Sequence, residues 1–163
     1  MSRHISDLQA ILMQLAAEHR KLLDQLEAQH AAMKKFDLVA IADWITRSEA
    51  TRLRINDLES RRRAVMRQIT AALKLQQEPR LTRLAELFPP QAPGLMKVRE
   101  ELRDLAAKIS RRSQGSSRLA SAVLGHLNNV VRLLAGAVER AGLYNRQGIP
   151  RVVSRVGSMD AVG

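Results

Sequence analysis

The chain contains no cysteine in 163 residues. That excludes a disulfide framework and any thiolate chemistry. Aromatic residues are scarce as well, with two Phe, one Trp and one Tyr. A chain so short of aromatic and β-branched residues lacks the side chains that strands favour. Its abundance of Leu, Ala, Arg and Gln suits helices, so the expected fold class is all-α. The opening Met1-Ser2-Arg3-His4 does not lead into an apolar run of signal-peptide length. The one apolar stretch about as long as a membrane span, residues 119–138, carries His126, Asn128, Asn129 and Arg132. Those side chains make crossing a bilayer costly, so no membrane insertion and a cytoplasmic location are expected.

Residue chemistry excludes more. His4, His19, His30 and His126 show no ligand spacing with one another and no adjacent carboxylate cluster, so no metal is expected. No glycine-rich phosphate loop follows a strand, and no nucleophile–base arrangement can be read from the spacing. The expectation is a protein without catalytic residues or cofactor, not an enzyme. At this length a single domain with a real core is expected.

Charge is the property in excess. Lys and Arg number 27 against 16 Asp and Glu, a net charge of +11. The surplus is spread along the chain, with tight clusters at Arg61-Arg62-Arg63 and Arg111-Arg112. Such a chain attracts nucleic acid and anionic surfaces without specificity. No aromatic residue is interleaved with the clusters, so the stacking platform of a single-strand binder is missing and solvated helix faces are the simpler account.

Apolar periodicity gives the architecture. Ile5, Leu8, Leu12, Leu15, His19, Leu22, Leu26, Gln29, Met33 and Phe36 alternate by three and four, the narrow seam of a coiled-coil-like helix. Phe36-Asp37 breaks the phase, and Asp37 can cap a second helix from Leu38 to about Leu75. So short a connection predicts an antiparallel hairpin. The second seam uses Leu38, Ile41, Ile45, Ile55, Leu58, Val65, Ile69 and Ala72. It looks thin where Ser48, Thr51 and Arg52 stand in for apolar residues. Pro79 is placed in the first turn of a short connecting helix with Leu81, Leu84, Leu87 and Phe88, which Pro89-Pro90 ends. A third long helix starts near Leu95 with Val98, Leu102, Leu105 and Ile109, meets a candidate kink at Gln114 to Ser117, and stops at Gly142. Residues 1–148 are thus read as a three-helix bundle and 149–163 as a flexible C-terminal tail.

The last helix carries the functional signal. Wound as a helix, residues 119–138 fill four adjacent heptad columns of seven with mostly apolar side chains. A core-facing bundle helix needs about three. The surplus points to a protein that binds other proteins, with Leu119, Val123, Leu124, Leu127, Val130, Val131, Leu134 and Val138 as the candidate surface. Ordinary core packing of these residues is the competing reading. A basic coiled coil that binds nucleic acid, or a scaffold that self-associates through this face, remains open, as does homodimer formation.

Three elements together resemble the FlgN family of flagellar export chaperones. They are the helix-to-helix step Phe36-Asp37-Leu38, the sequence Leu58-Glu59-Ser60-Arg61-Arg62, and Tyr144-Asn145-Arg146-Gln147-Gly148 after the last helix. The chain departs from that family in its strong positive charge and in having Ser117 and Ser121 where regularly spaced Asn residues are usual. The resemblance implies a type III export chaperone acting in bacterial flagellum assembly. The implied clients are the hook-associated junction proteins FlgK and FlgL, held by their terminal helical segments. It also implies docking to the export gate protein FlhA through a tyrosine near the C-terminus, for which Tyr144 is the single candidate.

Overall fold

A computed structural model describes residues 2–140, with the side chains of residues 3–136. Four α-helices follow one another: α1 (Ser2–Lys34), α2 (Leu38–Ala72), α3 (Leu81–Leu87) and α4 (Ala92–Arg140), with a 3-10 turn at Pro89–Gln91 between the last two. No strand occurs among the described residues. The described residues are all-helical, and in the first of two units a long antiparallel hairpin is joined by a short helix to the first part of a third long one. The chain divides into two units after Leu119, and each is taken by itself.

In the first unit α1 supplies the spine. Ile5, Leu8, Leu12 and Leu15 are almost fully buried, and Leu22 and Leu26 continue the stripe. His19 sits on this seam half-buried, with Nδ1 donating to the Leu15 carbonyl at 2.7 Å, which satisfies the polar group. The reversal into α2 is set by backbone capping. Phe36 takes a left-handed conformation (φ 55°), Asp37 N–H donates to the Ala32 carbonyl, and the Asp37 carboxylate accepts from Ala40 N–H at 3.0 Å. Phe36, expected to end the seam, is instead 66% exposed in this turn. A phenylalanine in that conformation is strained and here gains little burial. Phe36→Gly is therefore expected to raise stability by about 1 kcal/mol, measured by urea unfolding.

The core gathers Ile5 to Leu15 of α1, Leu58, Met66 and Ile69 of α2, Leu84 of α3, and Leu95, Val98 and Leu105 of α4. Along α2 the seam passes through Ser48 and Thr51, which are buried rather than thinly paired. Their hydroxyls donate to the Ile45 and Arg47 carbonyls one turn back, so two small polar side chains enter the interface without leaving a donor unmet. Arg52 lies off the seam, exposed and 3.5 Å from Glu49. Leu38 and Ile45, expected inside, are also exposed, so the apolar seam of α2 begins later than the spacing suggests. Pro79 precedes α3 rather than opening it, and Arg80 is the residue before the first turn.

The first part of α4 runs parallel to α1. Gly94 sits against the Gln9 side chain, Arg20 reaches Glu101 at 2.8 Å, Arg112 reaches Glu27 at 3.7 Å, and His30 hydrogen-bonds Ser116 at 3.2 Å. The helix runs without a break through Gln114 to Ser117, where the sequence suggested a kink. Its expected stop at Gly142 and the proposed tail, 149–163, lie outside the described residues. Burial first, then the charges of Arg112 and Lys34, lower the pKa of His30 from its ordinary 6.5. The folded protein therefore binds this proton less readily than the unfolded chain. Stability from this group is full above about pH 6.5 and is lost as pH falls below it towards the lowered value. Urea unfolding at pH 7.5 and 5.5 is expected to show a smaller acid loss for His30→Gln than for the parent protein.

Candidate functional site

The second half of α4 carries the candidate surface, and helix geometry decides what that surface is. At about 100° per residue, Leu133, Leu119, Val130, Val123, Leu134, Leu127, Val131 and Leu124 follow one another around an arc of roughly 180°, interrupted only by His126 between Leu133 and Leu119. Asn128, Ser121, Arg132 and Arg118 occupy the opposite side. An ordinary amphipathic helix needs an apolar stripe little more than half that wide to pack on a core.

Exposure shows how much of the arc is covered. Leu119 and Val123 are half-buried, whereas Leu124, Leu127, Val131 and Leu134 are 66%, 54%, 61% and 61% exposed. Val130 and Leu133 are exposed too, and Leu133 belongs to the same face although the sequence pattern did not single it out as a contact. Val138 lies within α4 but its side chain, like all of Tyr144, is outside the described residues. Large side chains left this far in water forgo about 1.5–3 kcal/mol each that full burial would return. A helix with such a face gains from any apolar partner that can lie along it.

Among the described residues the other exposed apolar side chains form no comparable row. Phe36, Leu38 and Val39 cluster at the α1–α2 turn, and Met13, Leu53 and Leu87 stand on other helices. A groove of about 430 Å³ between α1 and α2 was not anticipated from the sequence. It is lined by Lys21, Asp24, Gln25, Trp44, Arg47, Ala50 and Arg54. The Arg47 guanidinium stacks over Trp44, 5.0 Å from the ring centre, and Arg54 pairs with Glu18. Trp44 at the seam spacing from Thr51 was the available signal.

The arginine clusters are largely spent on carboxylates. Arg61 approaches Asp57 at 3.8 Å, and Arg112 approaches Glu27. Arg62 bridges Glu59 at 3.0 Å and Glu78 at 3.6 Å. Glu78 belongs to the segment entering α3, so the sequence Leu58 to Arg62 ties that segment to α2 while Leu58 enters the core. No grouping of His, Asp or Glu suited to a metal ion is found among the described residues. No helix among them is long and apolar enough to cross a membrane.

No curated protein and no solved structure gives a significant match to the chain. A family model, described as FlgN protein, matches residues 1–151, nearly the whole of the sequence. On the strength of that match the chain belongs to the FlgN family.

Proposed function

We propose that this protein is a cytoplasmic type III export chaperone that holds the hook–filament junction proteins FlgK and FlgL before they are secreted. The terminal helical segment of a client lies along α4 against Leu119, Val123, Leu124, Leu127, Val130, Val131, Leu134 and Val138. The observation that carries the reading is the wide apolar arc of α4, open to solvent at Leu124, Leu127, Val131 and Leu134. A secreted subunit whose terminal segments become helical only on assembly exposes apolar stripes that would otherwise aggregate. An uncovered helix face can accept such a stripe as an additional bundle helix. Exchange of one helical partner for another needs no catalytic group, and the cost of ordering the client keeps affinity moderate enough for release.

Co-purification and calorimetry of the full chain with FlgK and FlgL terminal peptides test this reading. Micromolar or tighter binding is expected, and its absence at that concentration contradicts the proposal. Handover to the gate protein FlhA is assigned to Tyr144. Tyr144→Ala is expected to lower FlhA binding by about tenfold or more, the usual scale for an aromatic anchor, while client affinity stays unchanged. Equal loss of both would place Tyr144 in the client site instead.

A further inference from the structure

We propose that residues 119–136 of α4 also form a binding surface for anionic lipid, lying flat in the headgroup layer. Two independent observations converge on that ligand. The first is the apolar arc, with Leu124, Leu127, Val131 and Leu134 more than half exposed. The second is a charge asymmetry along the sequence: between Asp104 and Asp160 lie nine Lys or Arg and one acidic residue, Glu139, and of the nine Arg112 is paired with Glu27. A helix with a broad apolar face set in a cationic, nearly acid-free stretch is the pattern of helices that adsorb in the plane of a negatively charged membrane.

Most of the polar residues that argue against crossing a bilayer fit this geometry; His126 is the exception, lying within the arc between Leu133 and Leu119. Asn128, Ser121, Arg132 and Arg118 share the side opposite the apolar arc, so they stay in water when the helix lies in the interface. A helix is about 10 Å across, comparable to the screening length of about 10 Å at 0.1 M salt. Arginines on the far side therefore still feel the lipid phosphates. Nucleic acid is the poorer ligand, because phosphate contacts use the cations alone and leave the exposed Leu and Val side chains in water. No aromatic residue lies between Leu105 and Leu143 to stack on bases. Lipid and client occupy the same face and so compete, but lipid binding stands without the client reading.

Sedimentation of the full-length protein with vesicles tests the proposal at about 0.1 M NaCl, where surface charge still acts. Phosphatidylcholine vesicles containing about 30 mol% phosphatidylglycerol, an anionic fraction that sets a strong surface potential, are compared with pure phosphatidylcholine. Binding at least about tenfold tighter to the anionic vesicles is expected. Leu127→Asp/Leu134→Asp is expected to lose at least about tenfold of it, and Arg118→Gln/Arg132→Gln about three- to tenfold. All four substitutions are at exposed positions, and circular dichroism melting checks that the bundle is intact. Three results overturn the proposal. They are no binding to the anionic vesicles, binding that the aspartate pair leaves unchanged, and tighter binding to a short DNA duplex that is insensitive to that pair.

Discussion

Leu127→Asp/Leu134→Asp is expected to abolish capture of FlgK and FlgL terminal segments, weakening affinity by at least about 100-fold. Each leucine contributes about 1.5–3 kcal/mol when a partner covers it, and every 1.4 kcal/mol is a factor of ten in affinity. The introduced carboxylates would also have to be desolvated beneath the client helix, which adds to the loss. Because both leucines are more than half exposed, the substitutions remove no core contact. The thermal midpoint of the free protein is therefore expected to stay within a few degrees of the parent. Calorimetry with client peptide and a melt of the free variant read the two quantities separately. A variant that fails to fold would show these leucines to be core and would remove the basis of the proposed mechanism.

The second large effect lies in the bundle. Leu15 is 1% exposed in the centre of the α1 stripe, among residues contributed by α2, α3 and α4. Leu15→Ala removes the transfer energy of its missing methyl and methylene groups and leaves a cavity that helices on several sides cannot close together. The expected cost is about 3 kcal/mol, within the range of large-to-small core substitutions. That is a large share of the 5–15 kcal/mol typical of a domain. Leu134→Ala, on the exposed arc, is expected to cost less than about 0.5 kcal/mol. Urea unfolding of the two variants should separate them clearly. Similar losses would mean that the arc is packed as firmly as the spine.

Periodicity made most of the bundle readable. The three-and-four alternation from Ile5 to Met33 marked the buried stripe of α1, and Asp37 after the phase break marked the cap of α2. What periodicity missed has local causes. Ser48 and Thr51 look like gaps because a hydrophobicity pattern does not record that a hydroxyl can satisfy itself on the carbonyl one turn back. Phe36 looks like a seam position because its identity suits the core, while the left-handed turn that moves it outward is a backbone property. Arg62 pairs with Glu78 across sixteen positions of sequence, a contact that only the folded chain reveals. The wide arc of α4 was visible as excess apolar columns. Its exposure was not, because the same columns describe a helix buried on all sides of that arc equally well.

Hydrogen–deuterium exchange of the full-length protein, with and without a FlgK terminal peptide, addresses the central claim most directly. The backbone amides of residues 120–136 are expected to exchange quickly in the free protein, where Leu124, Leu127, Val131 and Leu134 are more than half exposed, and to slow when client binds. The amides around Leu8, Leu15 and Ile69 should be protected in both states. Strong protection of 120–136 without client, or no change on adding it, would contradict the account.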